Sequence, residues 1–83
     1  MQPDSNLIEP RFKKTIDAYV KTGRPTGHFI QAVLENDLTG AFVRADVKAM
    51  ANLPHIISYL YHKVPSMCWG NKDKVSEWLY GEK

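Results

Sequence analysis

The sequence predicts an all-α protein, a compact bundle of four to five short helices. Apolar residues recur every three or four positions in several segments, as they do on one side of a helix. No segment alternates apolar and polar residues over a useful length, so no strand is predicted. Proline, glycine, asparagine and aspartate separate the helical segments. At 83 residues the chain forms one domain, with residues 1–9 as a flexible N-terminal lead and residues 10–83 as the helical body.

The first helix is predicted over residues 10–21. Pro10 suits its first turn, and Gly23 is suited to a left-handed cap after its end. Leu7 and Ile8, in the lead, are expected to fold back onto the body. The apolar side of the helix carries Phe12, Ile16, Tyr19 and Val20.

The second and third helices are predicted over residues 27–36 and 38–44. Thr26 is expected to be the N-cap of the second helix, and Asp37 the N-cap of the third. The second helix has an apolar stripe wide enough for a core helix. The inward residues are Phe29, Ile30, Val33 and Leu34, followed in the third helix by Leu38, Ala41 and Phe42.

A break is predicted before residue 52. Asp46 is expected to cap a short turn over residues 47–51, and Asn52 to cap a new helix. Pro54 would then lie in the first turn of that helix, where its missing N–H does no harm. Pro65 ends the helix, because the residue before a proline is pushed out of helical geometry.

The last helix is predicted over residues 72–80. Asn71 is expected to cap it and Gly81 to end it. The loop before it, residues 65–71, carries an unusual apolar load that includes Trp69.

Composition restricts the cellular location and the partners that we expect for this protein. Cys68 is the only cysteine, which excludes an intramolecular disulfide and fits a reduced, cytoplasmic location. No apolar run approaches the roughly 20 residues that span a membrane, so no membrane partner is expected. A net charge of +2 permits an anionic ligand and argues only weakly for nucleic acid. The small core favours a homo-oligomer.

The loop that opens the second helix is the first candidate site. Its glycines let another group approach the backbone, and a helix N-terminus attracts anions. The predicted ligands for a phosphate or carboxylate are Arg24, Thr26, Gly27 and His28. The alternative is an ordinary turn between two helices. The spacing is not that of a Walker loop.

Three further residues complete the candidate ligand site. Arg44 is expected to be partly buried, either lining a ligand groove or pairing with Asp46. Trp69 could stack on a base, or could cover one end of the core. Tyr59 falls off the apolar stripe of its helix and is expected to be exposed and available to a ligand or another subunit.

No catalytic or metal-binding constellation is present in the sequence. His55 and His62 are too far apart along one helix to hold one ion, and Cys68 has no partner that would activate it as a nucleophile. The acidic residues are scattered, and each has a capping or surface explanation. We therefore expect a non-enzymatic protein with no metal and no cofactor.

Three segments resemble small helical proteins that bacteriophages and prophages encode. They are G-x-P-x-G-x-F-x-x-A-V-L-x-N-D-L over residues 23–38, A-F-x-R-A-D over residues 41–46, and Y-x-x-x-P-x-x-C-W-G over residues 61–70. The resemblance extends over about residues 16–79 and carries no catalytic residue. It implies a short phage-type protein that acts in the cytoplasm of a bacterial host.

The leading hypothesis is sequestration of a phosphate-bearing small molecule, such as a nucleotide used as a signal in bacterial immunity, by analogy with phage proteins that counter host defence. The alternative is an inhibitor that binds a host protein through an apolar surface at Trp69 and Met67. A third hypothesis is a helix-turn-helix DNA-binding regulator made of residues 10–21, 22–26 and 27–36. Against it, the second helix turns Gln31 and Glu35 outward and offers few basic groups.

Overall fold

The computed structural model describes residues 7–81, and the fold is all-α, as predicted. No strand is present among these residues. The first six residues of the predicted lead, together with residues 82 and 83, lie outside the described part. The helices in chain order are α1 (Pro10–Thr22), α2 (His28–Leu34), α3 (Leu38–Arg44), α4 (Val47–Lys63) and α5 (Lys72–Tyr80), with a 3₁₀ turn at Ser66–Cys68 before α5.

The ends of α1 follow the predicted chemistry. Pro10 lies in its first turn, where a proline costs no hydrogen bond. Gly23 adopts a φ of 73° and donates its N–H to the Tyr19 carbonyl at 2.8 Å. This left-handed conformation favours glycine, so the predicted cap is confirmed.

Three acidic or amide side chains begin helices as predicted. Each accepts a hydrogen bond from an amide that has no partner inside its own helix. The bonds run from Gly40 to Asp37 at 2.9 Å, from Ala49 to Asp46 at 2.6 Å, and from Lys74 to Asn71 at 2.8 Å. The starts of α3, α4 and α5 are thus encoded locally.

The predicted break at residue 52 is wrong, because α4 is continuous through Pro54. Proline removes one backbone hydrogen bond, but an unbroken buried side holds the helix together on either side of it. Asn52 caps nothing; its side chain accepts from the Glu9 N–H at 2.9 Å and donates to the Leu7 carbonyl at 3.2 Å. The buried residues of α4 are Ala49, Asn52, Ile56, Ser58, Tyr59 and Leu60.

The N-cap of α2 also differs from the prediction. Gly27 is the cap, with a φ of 92°, and no side chain accepts a bond from the first amides of the helix. The Thr26 hydroxyl instead donates to the Gly27 carbonyl at 3.3 Å. α2 therefore begins after a glycine with a positive φ, and the Thr26 hydroxyl does not cap it.

One apolar core joins all five helices. Ile8 is buried in this core, as expected, whereas the Leu7 side chain is exposed. The largest fully buried side chains are Tyr19, Ile16, Leu34, Ile56, Leu60, Val75 and Cys68.

Backbone and side-chain hydrogen bonds fix the 65–71 loop and α5 to the rest of the core. The Tyr19 hydroxyl donates to the Cys68 carbonyl at 2.7 Å, and the Trp78 indole N–H donates to the Tyr19 carbonyl at 2.8 Å. The Gly70 N–H donates to the Leu34 carbonyl at 2.7 Å. The loop that carries Trp69 is consequently held by both α1 and α2.

Candidate functional site

The residues predicted to bind a ligand do not form one site. Thr26, Gly27 and His28 line an open cleft between α1 and α2. His28 also borders a second cleft, which contains Arg44. Tyr59 belongs to the core, and Trp69 packs against it.

The α1–α2 cleft contains a guanidinium that the sequence reasoning did not assign to the site. Arg11 lies over the Phe12 ring, with its guanidinium carbon 4.3 Å from the ring centroid. Its charge is shared with two carboxylates, because Glu9 and Asp46 each lie 3.7 Å away. The cleft is lined by Arg11, Phe12, Thr15, Thr26, Gly27, His28, Phe29 and Ile30.

Arg24, the predicted main ligand for an anion, is exposed and does not line this cleft. The α2 helix is also short, at seven residues, so its dipole is weak. The loop therefore borders an open cleft of mixed polar and apolar lining, and this cleft does not include Arg24, on which the phosphate hypothesis rested.

The expected partial burial of Arg44 is wrong. Arg44 is exposed rather than partly buried, and its guanidinium donates to the Gly40 carbonyl at 3.2 Å. Asp46 lies near Arg11 instead and caps α4. The cleft beside Arg44 is polar and contains His28, Gln31, Ala32, Glu35 and Asp37.

Tyr59 is buried, with 9% of its surface exposed, so its predicted availability to a ligand is wrong. Its hydroxyl donates to the Asp17 carboxylate of α1, which also accepts from Lys13 at 2.9 Å. Burial and this hydrogen bond raise the pKa of Tyr59. Burial works to raise the pKa of Asp17 as well, but the hydrogen bonds from Tyr59 and Lys13 outweigh it and lower that pKa. The contact joins α4 to α1 and is structural.

Trp69 is partly buried and packs against the core, as expected of a residue that covers one end of the bundle. Met67, on the same loop, is 64% exposed. The apolar surface predicted at Trp69 and Met67 is therefore reduced to one flexible side chain.

Another apolar surface lies across α3 and α4. Leu38, Phe42 and Tyr61 have 73%, 64% and 70% of their surface exposed. We call this surface the α3–α4 face, and it consists of Leu38, Phe42, Met50, Leu53, Ile57 and Tyr61. A groove runs within it, lined by Val33, Leu38, Ala41, Leu53 and Ile57, with Asn36 and Asp37 at one end.

The sequence contained a signal for this face that was interpreted as core. Leu38 and Phe42 are four residues apart and share one side of α3, and Leu53, Ile57 and Tyr61 follow the same spacing along α4. On both helices, the apolar residues extend around more of the helix surface than the core covers. Leu38 and Phe42, expected to point inward, are exposed at the edge of the groove because Ala41 takes the inward position.

The most extensive helix–helix contact is between α2 and α3, which residues 35–37 join. The helix-turn-helix hypothesis instead paired residues 10–21 with residues 27–36, which correspond to α1 and α2. These two helices meet through the Phe12 and Phe29 rings, whose centroids are 5.8 Å apart.

Within residues 7–81, no group of three or more histidine, cysteine or acidic side chains is arranged to hold a metal ion. None of the helices in this part of the chain has both the length and the apolar character needed to cross a membrane. Comparison with protein families, curated proteins and solved structures finds no match to this chain.

Proposed function

We propose that the protein is a non-enzymatic binding protein that acts by contact with another protein, and that the α3–α4 face is its binding surface. The observation that carries the proposal is one apolar groove, lined in part by the exposed residues Leu38 and Ile57. Phe42 and Tyr61, which are also exposed, lie one helical turn after these two residues. Contiguous exposed apolar surface of this kind is uncommon on a monomer and marks interaction sites.

The composition of the face supports this proposal. Aromatic residues and methionine are enriched at the centres of protein interfaces, and the face carries Phe42, Tyr61 and Met50. Each square ångström of apolar surface removed from water contributes about 25 cal/mol, so covering these side chains would offset part of the entropy that is lost on association.

The finer proposal is a phage-type inhibitor of a host protein in the bacterial cytoplasm. It rests on the resemblance of residues 16–79 to small phage and prophage proteins. In this proposal the contact surface is the α3–α4 face, which replaces the surface that the sequence predicted at Trp69 and Met67. The groove would take an apolar segment of the host protein, and Asp37 at its end would favour a basic residue there.

Site-specific photo-crosslinking in bacterial cells tests the proposal. A benzophenone amino acid replaces Phe42 in one variant and Tyr80 in a matched control, because Tyr80 is 78% exposed but lies on α5. We expect a discrete protein adduct from position 42 and none from position 80. A purified partner identified in this adduct should bind at least tenfold more weakly to Leu38→Asp. Equal adducts from both positions, or none from position 42, would contradict the proposal.

A second candidate function is binding of a small phosphate-bearing molecule in the α1–α2 cleft. Arg11, Thr15, Thr26 and His28 converge there, next to the first amides of α2. Titration calorimetry with cyclic and ADP-ribose-type nucleotides tests this function. Arg11→Ala should weaken binding by about 1.5–3 kcal/mol, the range for a charged hydrogen bond, and Arg24→Ala should weaken it less. Absence of heat with every nucleotide would exclude it.

A further inference from the structure

We propose that the outer side of α1 binds the phosphate backbone of a double-stranded nucleic acid. The surface, which we call the α1 basic face, consists of Arg11, Lys14 and Lys21 on the helix and Arg24 just after its cap. This inference goes beyond the proposed function, because it concerns residues that the α3–α4 face does not contain.

Positive charge is concentrated in this part of the chain. Residues 9–24 contain five basic and two acidic residues, whereas the rest of the chain contains six basic and seven acidic residues. The net charge of +2 therefore understates the charge around α1. Lysine and arginine clustered on one side of a helix are the electrostatic signature of a protein that binds nucleic acid.

The basic side chains form a row along α1. Lys14 lies three residues after Arg11, and Lys21 lies seven residues after Lys14, so all three share one side of the helix. The row is exposed and extends about 15 Å along the helix axis. Arg24, which is also exposed, follows the left-handed turn at Gly23. Arg11 shares its charge with two carboxylates, so the other three cations contribute most of the attraction.

These three cations are not neutralised by the protein itself. In the described part of the chain, Lys14, Lys21 and Arg24 form no ion pair. Asp17 lies between the two lysines in sequence, but its carboxylate already accepts from Lys13 and from a tyrosine hydroxyl of α4. The charge on this side of α1 is therefore available to an external anion.

The composition of the α1 basic face favours a nucleic acid over an acidic protein. The centres of protein interfaces are rich in aromatic residues, and the large apolar residues Phe12, Ile16 and Tyr19 of α1 are buried instead. Proteins that bind single strands also use exposed aromatic side chains, and the four described residues of this face include none. Cations without apolar anchors suit a duplex, which carries one negative charge for about every 1.7 Å of its axis.

The α1 basic face should contact phosphates without reading the base sequence. Bases are read by hydrogen bonds to their edges, whereas lysine and arginine contacts to phosphates carry no sequence information. The neutral hydroxyl donors of α1 are engaged within the helix, because Thr15 donates to the Arg11 carbonyl at 2.9 Å and Thr22 to the Ala18 carbonyl at 2.8 Å. We therefore expect similar affinity for duplexes of different sequence.

Fluorescence anisotropy of the purified full chain with short labelled duplexes tests the inference. A DNA duplex and an RNA duplex of the same sequence distinguish the two sources of this backbone. We expect both to bind in low salt, and a single strand of the same length to bind more weakly. For three neutralised phosphates on DNA, the logarithm of the association constant should fall against the logarithm of the salt concentration with a slope of about −2.7. Binding of one duplex alone would still support the inference and would identify the source.

Lysine variants locate the binding surface. Lys14→Gln and Lys21→Gln should each weaken binding at least threefold in low salt and reduce the size of the slope by about 0.9. Lys72→Gln is the matched control, because it removes the same charge from an exposed position of α5, and it should leave the slope unchanged. Glutamine is a good helix former, so the variants should keep their fold, and circular dichroism checks this point.

Three results would each overturn the inference. The first is no binding of either duplex in low salt, and the second is binding that Lys14→Gln and Lys21→Gln leave unchanged. The third is competition by poly-glutamate that equals competition by unlabelled duplex at the same concentration of negative charge, which would assign the face to an acidic protein segment. These results leave the α3–α4 face untouched, because the crosslink at position 42 tests that surface separately.

Discussion

Asp17 shows how one charged residue links two helices in this protein. Its carboxylate accepts from the Tyr59 hydroxyl of α4 and from the Lys13 ammonium of its own helix. Lys13 also lies near the Tyr59 ring, 5.7 Å from its centroid. A tyrosine at a helix position off the main apolar stripe is thereby buried, which the spacing of α4 alone does not predict.

The Asp17 contact predicts how stability depends on pH. The hydrogen bonds that it accepts lower its pKa in the folded protein, despite the opposing effect of burial. A carboxyl whose folded pKa lies below its unfolded pKa stabilises the fold above about pH 4. This contribution is lost as the pH falls through the folded-state pKa.

Urea unfolding between about pH 7 and about pH 3 measures this effect. We expect Asp17→Asn to show a smaller loss of unfolding free energy on acidification than the wild-type protein. Asp73→Asn, at an exposed position of α5, should keep the wild-type dependence. Identical pH dependence in the wild-type protein and Asp17→Asn would show that this carboxyl does not couple α1 to α4.

At the scale of the helices, the sequence predicts where three helices start, but it does not predict that α4 continues through Pro54. The caps by Asp37, Asp46 and Asn71 depend on residues only three positions apart, so local sequence is enough to predict them. The continuity of α4 through Pro54 depends on burial against the other helices. Local sequence contains no direct measure of that packing, so a proline two residues after an asparagine was interpreted as a helix start.

Replacement of Pro54 tests the continuity of α4. Pro54→Ala should stabilise the protein by about 1–2 kcal/mol, because it restores an amide donor for the Met50 carbonyl inside the helix. Pro10→Ala is the matched control at the first turn of α1, where no bond is gained, and it should change stability little. Denaturant unfolding measures both. A neutral or destabilising effect of Pro54→Ala would indicate a helix that begins at this residue.

For the whole molecule, the sequence predicted the fold class and most of the helix boundaries, but it did not predict the exposed α3–α4 face. Apolar periodicity identifies which residues share a side of a helix, and it cannot tell how much of that side the core covers. Leu38 and Phe42 were therefore assigned to the interior, and they are among the most exposed apolar residues described, as is Tyr61.

The residues of the predicted ligand site lie apart for a related reason. Its residues were grouped by chemistry, and the packing of α1, α2 and α4 places them apart. Arg11 could be assigned to the α1–α2 cleft only after the Phe12 and Phe29 rings were seen to bring these helices together.

The central claim is that the α3–α4 face is the surface covered when the protein is bound. Hydroxyl-radical footprinting tests it directly, because aromatic residues and methionine report their own exposure. The protein inside expressing bacterial cells is compared with the purified protein at low concentration. We predict protection of Phe42 and Tyr61 in cells, with Tyr80 and Met67 equally reactive in both samples. Protection of Met67 or Tyr80 with Phe42 unprotected would contradict the account.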